Sequence, residues 1–75
     1  MKIQIKGTIQ FHEFGMGAWA VVAESGEQYE LMQPAPSQLL QAGLSVKITG
    51  VLREDIMTMA MIGAVLQVES FEVVT

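Results

Sequence analysis

The sequence predicts an all-β protein: a small five-stranded antiparallel barrel with one short helix between the third and fourth strands. Three observations carry this. Apolar residues recur at every second position along most of the chain, the period of a strand with one buried face. The alternating runs are separated by breaks rich in glycine or proline, where turn geometry is available. The chain has 75 residues and no cysteine, so residues 1–75 form a single domain whose small core is held by apolar burial alone.

The first strand is "KIQIKGTIQF". Ile3, Ile5, Gly7, Ile9 and Phe11 take one face, and Lys2, Gln4, Lys6, Thr8 and Gln10 the other. "HEFGMG" breaks the pattern, with Gly15 and Gly17 supplying turn geometry. "AWAVVA" is a second, short strand. Glu24-Ser25-Gly26-Glu27 reads as a tight hairpin in which Gly26 adopts positive φ. "QYELMQ" returns, with Tyr29 and Leu31 facing one way and Gln28 and Glu30 the other.

"PAPSQLLQAG" is not a ladder strand, because Pro34 and Pro36 lack the donor a ladder needs. Ser37 fits an N-cap, Leu39 and Leu40 an apolar patch, and Gly43 a stop. The expectation is one or two helical turns between Pro36 and Gly43. "LSVKITGVLR" resumes alternation with Leu44, Val46, Ile48, Gly50 and Leu52 inward. In "AVLQVESFEVV" the apolar phase runs through Ala64, Leu66 and Val68, then shifts to Phe71 and Val73. A one-residue slip exchanges the faces of a strand, so a bulge is expected near Ser70. Gly7 and Gly50 sit mid-strand, where a strand that serves two sides of a barrel must bend.

The order of three strands, a short helix and two strands is that of a small Greek-key barrel of the OB type. The chain resembles small bacterial OB-like domains, including those of envelope proteins and of uncharacterised small proteins. The likeness lies in "WAVVAESGEQYEL", the proline with "LLQAG", and "LSVKITGVLR". It spans roughly residues 3–74, and it implies a fold more than a function. An SH3-like barrel is the alternative, disfavoured because a helix before strand four is not its habit.

Composition removes several classes of function. The absence of cysteine excludes disulfides, thiolate metal sites and thiol catalysis. Eight acids against four bases give a net charge of −4. Phosphate backbones and anionic membranes are bound through Lys and Arg, so neither nucleic acid nor membrane is an expected partner. The longest uncharged apolar run, from Ile56 to Leu66, falls well short of the ~20 residues a membrane span needs. "MKIQIKGTIQ" alternates from the start and lacks the apolar region of a secretory signal. A cytoplasmic address follows as the expectation; a mature fragment of a longer exported precursor would read the same.

Chemistry-bearing residues are few. His12 is the only histidine, and no serine stands where it could serve as its nucleophile. It reads as a solvated side chain at a strand end. Glu54 and Asp55 are a paired acid, but neighbours on a strand point to opposite faces, so they solubilise a loop rather than share a cavity. No phosphate-binding loop or metal-ligand spacing occurs. No catalytic residue, cofactor or enzymatic activity is expected. Trp19 and Tyr29 share the phase of Val21 and Leu31, which assigns both rings to the core rather than to a base-stacking surface.

One stretch stands apart. "REDIMTMAMIG" sets Met57, Met59 and Met61 at alternate positions, with Ile56, Thr58, Ala60 and Ile62 opposite. Thioethers are soft ligands suited to Cu(I), and copper-carrying OB-barrel chaperones combine a histidine, two methionines and a tryptophan. No metal site is the leading expectation; the candidates for one are His12, Met57, Met59 and Met61, with Trp19 as the ring that the resemblance would place over the metal, although no methionine follows Trp19 at the short spacing of that family. The other reading is an adaptable apolar contact surface. A small barrel has room in its core for only one of the two rows. The other would stay outside, as exposed apolar patches do at contact sites. The leading expectation is a non-enzymatic protein-interaction or accessory module. Met57, Met59, Met61, Ile56 and Ile62 form its interface, either with a partner protein or in a homodimer. The alternative is a Cu(I)-binding barrel using the methionines and His12. A weak single-stranded nucleic-acid binder is third, and depends on Lys2, Lys6, Lys47 and Arg53 gathering on one face.

Overall fold

A computed structural model describes residues 2–13, 17–56 and 62–74. Five strands form: β1 (Lys2–His12), β2 (Ala18–Ala23), β3 (Gln28–Leu31), β4 (Ser45–Arg53) and β5 (Ala64–Val73). They close into a ring in the order β1-β2-β3-β5-β4, with β4 returning to β1.

The ring is mixed, not antiparallel as expected. β3 and β5 run parallel, Tyr29 opposite Ala64 and Leu31 opposite Leu66, and Met32 N–H extends the pairing to the Leu66 carbonyl at 2.9 Å. The reason is parity. Each antiparallel contact reverses direction, and five reversals around a closed ring do not return to the starting direction. A closed ring of five strands must therefore contain a parallel pair.

The helix between Pro36 and Gly43 does not form either. Leu39 N–H bonds to Pro36 O at 3.0 Å and Leu40 N–H to Ser37 O at 3.2 Å, but the ladder stops there. Gly43, at φ 87°, sends its N–H to Ile9 O on β1 instead, and Ile9 N–H bonds Leu44 O. A helix this short gains little beyond its costly first turn. The strand edge offers the same backbone groups better partners. The segment is a turn whose chief product is Leu39, fully buried at the end of the barrel.

The barrel interior is filled by Ile5, Ile9, Val21, Leu31, Leu39, Val46, Ile48 and Leu66. Apart from Leu39, which comes from the turn, these are inward phases expected from the alternation, and small barrels are packed in this way by their own side chains. The hairpin after β2 has Gly26 at φ 96°, Gly26 N–H on Ala23 O at 2.9 Å and Ala23 N–H on Glu27 O at 2.8 Å. That is a tight turn closed by a glycine in the left-handed region.

The mid-strand glycines are where the ring bends. β1 pairs with β4 through residues 2–8 and with β2 through residues 7–12, so it changes partners at Gly7. A Cβ on Gly7 would run into the Val22 carbonyl, and one on Gly50 into the Gln67 carbonyl. At Gly50 the β4–β5 register also shifts: Thr49 faces Ser70 but Gly50 faces Val68. Glu69 is the extra residue, one position from the bulge expected near Ser70. The shift carries the inward phase from Leu66 and Val68 to Phe71, all of which meet the core. Val73 belongs to the same phase but is exposed at the strand end, as is Ala64 at its start.

Candidate functional site

Met57, Met59 and Met61, the centre of the expected interface, lie outside the described residues, as do Thr58 and Ala60 between them. Their neighbours Ile56 and Ile62 are described, and both are half-buried. On the β4 side the margin is fixed by charge. Arg53 donates from Nε to Asp55 Oδ1 at 3.0 Å and from Nη2 to Oδ2 at 2.8 Å, and from Nη1 to Gln67 Oε1 at 2.8 Å. These bonds hold the Asp55 carboxyl below its ordinary pKa and the guanidinium above its own. Glu54 and Asp55 are both exposed.

His12 and Trp19 leave the same two strands in opposite directions. Phe11 is opposite Trp19 and His12 opposite Ala18, so Phe11 and Trp19 share one face and His12 the other. Trp19 packs on the core, and its ring meets Phe11 at 4.8 Å between centroids, tilted 54°. Gly17 lets Phe11 lie over the backbone there, at φ 87°, since a Cβ would come within 2.5 Å of the ring. Phe11 remains 42% exposed at the barrel end. His12 and Trp19 therefore do not converge on one point. His12 is not the solvated side chain expected: it is half-buried with its Nε2 withdrawn from solvent. Among the described residues no three His, Asp or Glu side chains come together as a metal site.

Tyr29 packs on the core as expected, with its hydroxyl reaching the rim. Oη donates to Glu27 Oε2 at 2.6 Å. That hydrogen bond, then burial, then the negative charge of Glu27 raise the phenol above its ordinary value of 10.0. A raised pKa means the folded state prefers the neutral phenol. The stabilisation is complete below the ordinary value and is lost as pH rises through the raised one. The phenolate absorbance should accordingly appear at higher pH in the folded protein than in urea, and Glu27→Ala should bring it back down. An unshifted titration in Glu27→Ala would mean the contact does not form in solution.

A second buried surface escaped the sequence reading. Ala20, Glu30 and Val65 stand in register across β2, β3 and β5 on the outer side of the ring, yet they are only 0%, 9% and 3% exposed. A carboxylate this buried is held by hydrogen bonding or charge, and Glu30 does have a partner. The legible signal was "AWAVVA", apolar on both faces, which marks a strand covered on both sides. Gly63 belongs here too: a Cβ there would strike the Gln28 carbonyl, so glycine allows the chain to enter β5 against β3.

The outer face of β2 and β3 carries Ala18, Ala20, Val22, Gln28 and Glu30, with no aromatic ring among them. All four cations lie instead on the outer face of β1 and β4. Lys6 is directly opposite Lys47, Lys2 opposite Val51, and Arg53 follows two residues on. Lys2 is bound to Glu69 at 2.9 Å and Arg53 to Asp55 at 2.8 Å. Beside Lys6 runs a shallow cleft of about 140 Å³, lined by Gly7, Thr8, Glu24, Ser45, Val46 and Val74 as well.

The chain gives no significant match to any protein-family model, curated protein or solved structure.

Proposed function

We infer that this chain is a non-enzymatic interaction module on an OB-type Greek-key barrel, acting through its outer surface. The ring order, with β1 bound to both β2 and β4, supports the OB-type reading. The observation that carries the functional reading is the filled interior: eight apolar side chains occupy the space where a barrel would hold a ligand. Recognition then falls to the outside. The contact is assigned to residues 56–62, an apolar run interrupted only by Thr58 and preceded by the charged pair Glu54 and Asp55.

The occupant proposed for that segment is a second copy of this chain or a partner protein. Self-association would give a two-fold dimer, the commonest closed arrangement. Methionine suits such a contact because its unbranched thioether adapts its shape. Replacing Met59 with Lys puts a charge into the contact and should move the protein from dimer to monomer in sedimentation velocity, with an unchanged far-ultraviolet spectrum. A wild type that stays strictly monomeric at high concentration, with all three methionines protected from oxidation, would place the row in the core and end the interface reading.

A further inference from the structure

We propose that the paired lysines Lys6 and Lys47 form a docking point for an acidic peptide segment of a partner protein. The proposal deepens the interaction reading above but uses a different face, so either can fail without the other. Four observations carry it. The chain has only four cations, and all project from the outer face of β1 and β4. Two of them are spent internally, Lys2 on Glu69 and Arg53 on Asp55. Lys6 and Lys47 are exposed, form no ion pair among the described residues, and stand directly opposite one another. Like charges directly across a strand pair repel, and although Glu24 and Glu72 flank the two lysines on their outer sides, no carboxylate stands between them in the register. Two residues further along the same face Thr8 is opposite Ser45, which sets two hydroxyls beside the two ammonium groups and the adjacent cleft.

The flanking acids choose the anion. Glu72 is in register with Lys47 on its other side, and Glu24 shares the cleft with Lys6. A nucleic-acid strand brings dense phosphate charge against both carboxylates, and its bases find no aromatic residue among those lining the cleft. Single side-chain carboxylates, spaced along an extended peptide, can each meet one ammonium and stay clear of Glu24 and Glu72.

The test is a titration of the isotope-labelled full chain with hexaglutamate, followed by amide chemical shifts. Shifts should centre on Lys6, Thr8, Ser45 and Lys47 and fade as salt is raised. They should weaken at least about tenfold in Lys6→Gln/Lys47→Gln and persist in Lys6→Arg/Lys47→Arg. Absent shifts, or shifts spread equally over Lys2 and Arg53, would overturn the proposal. So would a short single-stranded DNA that binds the same amides more tightly than the peptide.

Discussion

Gly50→Val should be the most damaging single substitution in β4, lowering stability by about 3 kcal/mol or more. Valine is otherwise favoured in strands, so the loss has to come from the local packing. A Cβ at position 50 collides with the Gln67 carbonyl and also comes within 3.1 Å of its carbon and of Leu66 Cδ1. A carbonyl in a bulged ladder is not the mobile end of a side chain. To make room, β5 must move away from β4 at the point where the register shifts between Thr49 and Gly50. Gly26→Ala is the control. Nothing lies within 4 Å of a Cβ there, so only the positive φ is penalised, at about 1 kcal/mol. Denaturant unfolding of both variants checks the difference. Equal losses would mean that the close approach of β5 at Gly50 is not what glycine is there to permit.

Leu39→Ala should cost a comparable amount, about 3 kcal/mol, although Leu39 belongs to no strand. It is fully buried in the core cluster, carried there by a turn anchored to β1 through Gly43 and Leu44. Truncation leaves a cavity where the barrel closes, and the strands around it are tied into the ring and cannot collapse inward. Its neighbour Leu40 is only half-buried, and Leu40→Ala should cost about 1 kcal/mol. Thermal unfolding distinguishes the two. If both leucines cost the same, the turn does not direct Leu39 into the barrel.

These two positions show how much the amino-acid pattern could reveal. Inward phases, the glycine bends and the bulge beside Ser70 were legible because each is a local departure from a period of two. The turn at residues 36–43 was not. Ser37, Leu39, Leu40 and Gly43 make good helix signals, and only the partnership of Gly43 with Ile9, distant in sequence, diverts them. The parallel β3–β5 pair was legible in principle, since parity alone demands it of a closed five-membered ring. The buried outer row of Ala20, Glu30 and Val65 depends on how three strands align, which alternation within any one strand does not report. At the candidate site, the phase of Trp19 identified it as core, and the same phase argument separates it from His12. The lone histidine was expected in solvent from its place at a strand end, and its partial burial is not something that the period of its own strand reports.

The proposed function is that of a filled barrel that binds other chains on its outside. Quantitative affinity capture from extract of the source cell tests it most directly, with wild type, Met59→Lys and Lys6→Gln/Lys47→Gln compared at equal folded concentration. The account predicts a protein retained in stoichiometric amount by wild type and lost from at least one of the two surface variants. Retention by wild type and both variants alike, or none above a barrel-fold control, with wild type also monomeric, would contradict it.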